Sequence, residues 1–200
     1  MKKILIATKN KGKIAEFNSL FSRYDVQVVS LYDLPEEIED IEETGSTFQE
    51  NAALKAETIA RTFGLSTLAD DSGLIVDGLG GAPGIYSARY AGEPTDDLKN
   101  NQLLLENMKH LKDSERTARF ICVLAVAHPE RDTNYYTGYC EGSIASEPRG
   151  KNGFGYDPLF IPKGYQQTMA QLDSKEKNAL SHRRAALDEL EKDMDQLFHA

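Results

Sequence analysis

Residues 118–127 read ARFICVLAVA, an almost continuous apolar run of the kind that forms a buried strand. Residues 134–145 follow after a short polar break and are predicted to form a partner strand. On either side of this pair, predicted strands and helices alternate along the chain. That alternation, together with the long apolar pair, predicts an α/β domain with a mixed sheet.

The amino-terminal part of the chain predicts a strand, a loop and a helix. Residues 3–8 are a short apolar run that ends in polar residues, which suits a buried strand. Residues 10–21 carry apolar side chains at helical spacing, and residues 26–30 suit a second strand. Residues 35–43 are strongly acidic and are predicted to form a loop.

The second predicted helix has marked ends. Thr47 and Glu50 form a capping-box pair, and Gly64 stands where a helix C-cap is expected. Between them one apolar stripe is formed by Phe48, Ala52, Ala56, Ile59 and Phe63.

Shorter predicted elements follow. Two short strands, 65–70 and 74–76, are expected around a polar turn at residues 71–73. A helix is expected over residues 95–108 and a glycine-rich loop over 149–157. The tail is predicted to be helical, with one short helix capped near Asp173 and a separate one that starts at His182. These elements fit one domain spanning residues 1–200.

Composition narrows the class of protein. The two cysteines, Cys122 and Cys140, are too few for a disulfide framework, so free thiols in a reducing compartment are expected. The amino-terminal apolar stretch is too short for a signal peptide, and no run is long enough to cross a bilayer. We therefore expect a cytoplasmic protein without membrane contact.

The formal net charge of −9 constrains the partners. A surface this negative repels a phosphate backbone, so nucleic-acid binding is not expected. Any phosphate-bearing ligand must be met by a local cluster of Lys and Arg or by a metal ion.

The segment 8–13 (TKNKGK) is the first such cluster. It joins the first strand to the first helix, where backbone N–H groups and the helix dipole favour an anion. The segment lacks the Walker A pattern. A solvated basic turn is the alternative interpretation.

Asp70 and Asp71 are adjacent carboxylates at the expected end of a buried strand. Such a pair is costly unless a cation or hydrogen-bond donors meet it. Neighbours in a strand point to opposite faces, so one carboxylate could hold Mg²⁺ or a water while the other braces the turn. An Asx-type turn is the alternative. An acid of the segment 36–43 could add a further oxygen ligand, although most of that segment suits a solvated loop.

Two segments near the carboxyl end offer ligand contacts. In residues 150–158, glycines permit close backbone approach, and Phe154 and Tyr156 offer ring faces for stacking a base. A loop with aromatic plugs is the alternative. Residues 175–184 gather four cations and a histidine, a plausible second anion or base contact in an acidic chain.

The ordered set of these segments resembles the inosine triphosphate pyrophosphatase family, the RdgB-like non-standard purine nucleoside triphosphate pyrophosphatases. The resemblance runs from about residue 2 to residue 190, and the ordered set is highly specific although each piece alone is weak. The matching pieces are ATKNKGK (7–13), FQENA (48–52), ADDSGL (69–74), GGAPGIYSARY (80–90), GFGYDP (153–158) and SHR (181–183).

The resemblance implies an elongated two-lobed fold with a long central mixed sheet flanked by helices, and an active site in the cleft between the lobes. It also implies a homodimer. Asp71 matches the general base that activates water and approaches Mg²⁺, and Glu42 matches a further metal ligand. Lys9 and Lys11 fall at variable positions and add only charge. The residues implied to bind substrate are Thr8, Lys9, Asn10, Lys11, Gly12, Lys13, Ser72, Phe154, Gly155, Tyr156, Asp157, Lys177, His182 and Arg183.

The implied reaction is attack of a metal-assisted water on the α-phosphorus of ITP, dITP or XTP, which releases pyrophosphate and a nucleoside monophosphate. The residues alone equally allow hydrolysis of the γ-phosphate. Three rivals stay open: a Maf-like pyrophosphatase, a non-catalytic nucleotide sensor, and RNA binding through the basic carboxyl-terminal cluster.

Overall fold

The structure is a computed structural model that describes residues 2–34, 38, 39 and 41–199. The strands are β1 (Lys2–Ile6), β2 (Val26–Ser30), β3 (Thr67–Val76), β4 (Pro83–Gly84), β5 (Thr117–His128), β6 (Arg131–Ile144) and β7 (Phe160–Pro162). The helices are α1 (Lys11–Phe21), α2 (Phe48–Phe63), α3 (Asp97–Met108), α4 (Ser174–Leu180), α5 (His182–Lys192) and α6 (Met194–His199). Short 3₁₀ turns lie between several of them.

The strands form one 7-stranded sheet in the order β2-β1-β3-β5-β6-β7, and β4 pairs with β3. Strand β1 is parallel to both β2 and β3, whereas β4 is antiparallel to β3 and β7 is antiparallel to β6. The predicted α/β class with a mixed sheet is therefore confirmed, as is the pairing of the two long apolar strands β5 and β6.

The chain divides into two compact units. Unit 1 comprises the described residues within 1–71, 123–137 and 187–200, and unit 2 comprises residues 72–122 and 138–186. In unit 1, the aromatic rings of Phe21 and Phe198 meet edge to face with centroids 5.9 Å apart. In unit 2, a buried cluster joins α3 to the strands and includes Leu104, Met108 and Phe160.

The helix ends follow the sequence closely. The Thr47 hydroxyl accepts the Glu50 N–H at 3.1 Å, and Gly64 ends α2 in the left-handed conformation with φ +63°. The reciprocal half of the predicted capping box differs, because the Glu50 carboxylate accepts from both the N–H and the hydroxyl of Ser46. These bonds hold the pKa of Glu50 below its ordinary value, with the Ser46 hydroxyl as the largest cause.

The prediction of a polar turn at residues 71–73 is wrong. Strand β3 continues through Asp71 and Ser72 without a break. Buried residues on both sides, Leu68 and Leu74, fix the segment in the core, and the Leu74 N–H donates to the Ser87 hydroxyl at 2.8 Å. Because β3 runs without interruption to Val76, the carboxylates lie within a strand and not at its end.

The carboxyl-terminal helices start where the sequence predicts. The Asp173 carboxylate accepts the N–H groups of Lys175 and Glu176, which begins α4. The Ser181 hydroxyl accepts the Arg184 N–H at 3.0 Å, which separates α5 from α4. The helical tail is interrupted once more, before Met194, where α6 begins.

Helix α3 is anchored at its carboxyl end by a buried arginine. The Arg116 guanidinium, 8% exposed, donates to the carbonyl oxygens of Met108, Ile144 and Ala145 at 3.2, 2.9 and 2.8 Å. Such bonds to a charged donor each contribute about 1.5–3 kcal/mol. They fix the end of α3 to the end of β6 within unit 2.

Two further expectations concern the thiols and the membrane. Cys122 and Cys140 are buried free thiols, as predicted. Burial raises the pKa of the Cys140 thiol to about 11, so this thiol is inert at neutral pH.

Throughout the residues that the structure describes, every helix falls short of the length and apolarity that a bilayer-spanning segment requires.

Candidate active site

In unit 1, the relative lengths of β1 and β3 bring the predicted phosphate loop to the acidic pair. The last paired residues are Ile6 of β1 and Leu68 of β3, and the Ala7 N–H still donates to the Leu68 carbonyl at 2.8 Å. Strand β1 ends there, whereas β3 runs on in the same direction through Asp70 and Asp71. The loop that leaves β1 therefore begins beside the two carboxylates.

The loop itself is ordered by short-range hydrogen bonds. The Thr8 hydroxyl accepts the Asn10 N–H at 3.2 Å. The Asn10 amide oxygen accepts the N–H groups of Gly12 and Lys13 at 2.9 and 3.1 Å, so Asn10 is the N-cap of α1. This cap stabilises the first turn of α1, from which the side chains of Lys11 and Lys13 project. The side chains of Lys9 and Lys11 are exposed.

Lys13 makes the contact that joins the loop to β3. Its ammonium lies 2.6 Å from the Asp70 carboxylate, and the two side chains are 23% and 4% exposed. Asp71, the next residue, is also buried, and it faces the other side of the strand. Asp70 therefore braces the loop before α1 and not a turn, whereas the role of Asp71 toward a metal ion or a water stays a prediction.

A second lysine, which no sequence motif indicated, lies beside this pair. The Lys55 ammonium donates to the Asp70 carbonyl at 2.7 Å and to the Glu43 carboxylate at 2.7 Å. Phe48, Ala52, Lys55 and Ile59 follow helical spacing along one face of α2. The position of Lys55 within an otherwise apolar stripe was therefore the sequence feature that could have indicated it. The ion pair of Lys55 adds Glu43 to the acids near Asp70.

The acidic segment is described only in part. Pro35, Glu36, Glu37 and Asp40 lie outside the described residues. Glu42, the predicted metal ligand, is exposed, whereas Glu43 is half-buried against Lys55. The assignment of Glu42 to a metal stays a prediction.

In unit 2, the glycine-rich loop holds one aromatic ring in solvent. Phe154 is 71% exposed, yet its N–H donates to the buried Asp157 carboxylate at 2.9 Å. Gly153 has φ +82°, and a Cβ there would lie 2.0 Å from the same carboxylate oxygen. The loop therefore requires glycine at position 153 for Asp157 to reach the backbone.

Lys177 closes over this loop from α4. Its ammonium lies 2.5 Å from the Asp157 carboxylate and 4.8 Å from the centre of the Phe154 ring. An ammonium over an aromatic face is a cation–π contact. The structure thus brings three predicted substrate-binding residues together in unit 2: Phe154, Asp157 and Lys177.

Tyr156 differs from the expectation of a free ring face. It is 4% exposed and lies in the hydrophobic cluster of unit 2, and its hydroxyl donates to the Ser87 carbonyl at 2.8 Å. Burial raises the pKa of Tyr156, so the hydroxyl stays protonated. The aromatic-plug interpretation is therefore correct for Tyr156, whereas Phe154 keeps an exposed ring.

The remaining predicted residues of unit 2 are half-buried. The His182 ring stacks on Phe120 with centroids 5.2 Å apart and an interplanar angle of 22°. Arg183 follows it in the first turn of α5, and Ser72 lies in β3 at the start of unit 2. Their roles in binding stay predictions.

Comparison with known proteins identifies close relatives over nearly the whole chain. A protein from Oceanobacillus iheyensis named dITP/XTP pyrophosphatase is 59% identical over 192 residues, which cover 96% of this chain and 98% of the relative. A protein of the same name from Listeria monocytogenes is 55% identical over 194 residues, 97% of this chain and 95% of the relative.

Solved structures agree with these sequences. The Ham1 protein of Staphylococcus aureus superposes with a TM-score of 0.91 at 43% identity, covering 98% of this chain and all of that one. A protein from Mycobacterium abscessus, described as a nucleoside-triphosphatase / dITP/XTP pyrophosphatase, gives a TM-score of 0.83 at 43% identity and covers 94% of this chain and 97% of that one. The Ham1 family model matches residues 4–193. The chain therefore belongs to the Ham1 family, which confirms the resemblance to inosine triphosphate pyrophosphatases.

Proposed function

We propose that this protein hydrolyses the non-standard purine nucleoside triphosphates ITP, dITP and XTP to the monophosphate and pyrophosphate. Support comes from relatives at 59% and 55% identity that are named dITP/XTP pyrophosphatases. The observation that carries the proposal is the contact of Lys13, in the capped loop before α1, with Asp70 beside Asp71. This arrangement places a cation and a buried carboxylate at a helix N-terminus, where phosphate is favoured.

Within unit 1, we assign the phosphate contacts to the loop 8–13 and the chemical step to Asp71. The Asp71 carboxylate orients a water molecule and accepts its proton as the water oxygen attacks the α-phosphorus. Pyrophosphate leaves as the bond from the α-phosphorus to the bridging oxygen breaks. Lys13 exchanges its contact with Asp70 for a phosphate oxygen and offsets the charge of that group.

We propose that acids of unit 1 hold Mg²⁺. In the described ranges, no three His, Cys, Asp or Glu side chains converge into a protein-built metal cage. Mg²⁺ is usually held by one or two carboxylates together with substrate phosphates and waters, so a cage is not required. Asp71, with Glu42 as the second acid, would hold the ion. When bound, Mg²⁺ neutralises charge on the phosphate oxygens.

Within unit 2, we assign base recognition to the loop 153–157. The exposed Phe154 ring offers one face for stacking, which contributes about 1–3 kcal/mol per base. Lys177 contacts the phosphate chain, and His182 and Arg183 add donors for the base. A donor aimed at a 6-oxo group is left unpaired by the 6-amino group of adenine, and such mismatches discriminate by factors of about 10⁴ or more.

The biological role follows from this chemistry. Hydrolysis of inosine and xanthosine triphosphates removes them from the nucleotide pool before their incorporation into DNA or RNA. We place this activity in the cytoplasm, where that pool and a reducing environment for the two thiols coincide. We also propose a homodimer, which light scattering of the purified protein tests directly.

The test is a panel of nucleoside triphosphates, assayed with Mg²⁺ or with a chelator and scored for pyrophosphate against orthophosphate. We expect pyrophosphate from ITP, dITP and XTP in the presence of Mg²⁺, and little product from ATP. Orthophosphate as the main product would contradict attack at the α-phosphorus. A preference for pyrimidine or methylated substrates would favour the Maf-like rival.

Asp71→Asn separates an enzyme from a nucleotide sensor. We expect turnover of dITP to fall by at least about a thousandfold because the amide cannot accept the proton of the attacking water. Binding of dITP should persist, and isothermal titration calorimetry measures it. Unchanged turnover in Asp71→Asn would remove Asp71 from the chemical step.

A further inference from the structure

The first two turns of α3 hold the peptide units on either side of Gly155. The Gly155 N–H donates to the Asp97 carboxylate at 2.7 Å, and the Gly155 carbonyl accepts from the Asn101 side-chain amide at 2.9 Å. Residues four positions apart lie on one face of a helix, so Asp97 and Asn101 act on Gly155 together. We propose that Asp97 and Asn101 are positioning residues that orient Phe154 for the purine base.

The backbone around Phe154 is fixed on every side. The peptide that joins Phe154 to Gly155 has its carbonyl bonded to the Asp157 N–H at 3.2 Å and its N–H bonded to Asp97. The Phe154 N–H is bonded to the Asp157 carboxylate. Gly155 itself has φ +60°, a conformation that other residues rarely adopt. These bonds leave little freedom in the backbone angles that aim the Phe154 ring.

A rigid backbone around an exposed aromatic ring is typical of a ligand contact whose geometry exists before the ligand binds. The Phe154 side chain is 71% exposed, so the fixed backbone at this residue does not serve the packing of its own ring. Preorganisation lowers the entropy lost when a ligand binds, because the contact geometry exists before binding. This role rests on the proposed function, since a base that stacks on Phe154 is what makes the orientation matter.

Two neighbouring asparagines of α3, Asn100 and Asn101, bind different segments of unit 2. Asn100 donates to the Ala88 carbonyl at 2.9 Å and accepts from the Ala91 N–H at 2.7 Å. Asn101 instead turns to the loop, although both asparagines are buried. One helix therefore fixes two separate segments of unit 2, and Asp97 and Asn101 are its residues that bond to the loop 153–157.

Asp97 is exposed, so its replacement leaves the core intact and provides the sharper test. We expect Asp97→Ala to raise the KM for dITP roughly tenfold with kcat little changed, because a charge-assisted hydrogen bond to the loop is lost. Binding of inosine monophosphate should weaken by the same factor. Binding of inorganic tripolyphosphate, which has no base, should change by less than about twofold. Asp97→Asn keeps an acceptor oxygen and should restore most of the affinity.

Asp96→Ala is the matched control. Asp96 caps α3 through the N–H groups of Leu98 and Lys99 and pairs with the Lys99 ammonium, so its side-chain contacts among the described residues stay within the helix. Its removal should lower the melting temperature more than Asp97→Ala does, and should change the KM less. If Asp96→Ala and Asp97→Ala raise the KM equally, the effect is loss of helix stability and the positioning role is overturned.

The binding measurements keep this inference separate from the proposed activity. If the wild-type protein binds inosine monophosphate but releases no pyrophosphate from dITP, the proposed reaction fails, and the effect of Asp97→Ala on binding still decides the positioning role. If tripolyphosphate binding weakens as much as nucleotide binding, the positioning role is overturned. Absence of inosine monophosphate binding to the wild-type protein would overturn it as well.

Discussion

Lys13 and Asp70 are 57 positions apart in the sequence and meet in a contact of 2.6 Å. The carboxylate is 4% exposed, whereas the lysine side chain is 23% exposed and can still reach solvent or a ligand. A phosphate oxygen that approaches Lys13 competes with Asp70 for the same ammonium. The ion pair thus keeps the lysine in place while no substrate is present.

Replacement of Lys13 tests this double role. We expect Lys13→Ala to raise the KM for dITP by at least about tenfold and to lower the free energy of unfolding by about 2 kcal/mol, because Asp70 loses its lysine partner. Lys11→Ala, two positions earlier and exposed, should change neither quantity by much. Steady-state kinetics and urea unfolding measure both effects. Equal effects of the two variants would show that only the charge of the loop matters.

At the residue scale, charged residues within short local motifs can be predicted from the sequence. Residues whose partners lie far away in the sequence cannot. Lys13 and Asp71 were recognised because their neighbours form characteristic short segments. Asp97 and Asn101 escaped because polar residues at the start of a helix are common and predict only a cap. Their contact with Gly155 spans 58 and 54 positions, and no local pattern encodes such a pairing.

At the scale of elements, helix ends are predicted well, whereas the unbroken strand β3 and the short strands β4 and β7 are not. Capping residues act within a few positions, so Thr47, Gly64 and Asp173 reveal their helices in the sequence alone. Residues 71–73 are predicted to form a turn because Asp, Ser and Gly favour turns locally. Pairing with distant strands and burial of Leu68 and Leu74 outweigh that preference and extend β3.

The end of β5 contains a histidine that makes the stability of unit 1 depend on pH. His128 is buried, and its Nδ1 contacts the Ser66 hydroxyl at 2.8 Å and the Arg131 guanidinium at 3.3 Å. Burial, and secondarily the charge of Arg131, lower the pKa of His128 below its ordinary value. Arg131, the first residue of β6, also donates to the Leu197 carbonyl, which links the start of β6 to α6.

The sign of the effect follows from the lowered pKa. The unfolded chain binds a proton at His128 more readily than the folded chain, so this contribution to stability is complete above about pH 6.5 and is lost as the pH falls through the folded-state pKa. We expect His128→Gln to flatten that part of the dependence in urea unfolding between about pH 7.5 and pH 5. His110, which is exposed, supplies the control variant. An unchanged slope in His128→Gln would contradict the assignment.

At the scale of the whole molecule, a net charge of −9 coexists with local clusters of cations. In unit 1, Lys13 and Lys55 meet carboxylates, and in unit 2 Lys177 meets Asp157. Each cation is held beside an acid that a phosphate could replace as its partner. A surface of this sign disfavours a long nucleic-acid backbone, whereas a small polyanion needs only such a local cluster.

The assignment of phosphate to the loop 8–13 and of the base to the loop 153–157 predicts separate footprints in hydrogen exchange. Inorganic tripolyphosphate should slow exchange in peptides that cover residues 8–13 of unit 1 by at least about threefold, because its charge engages the loop before α1. Inosine, which has no phosphate, should slow exchange over residues 153–157 of unit 2 and leave residues 8–13 unchanged. Peptides from α6 serve as the reference. Protection of residues 8–13 by inosine, or none by tripolyphosphate, would contradict the assignment of phosphate to the loop 8–13 and of the base to the loop 153–157.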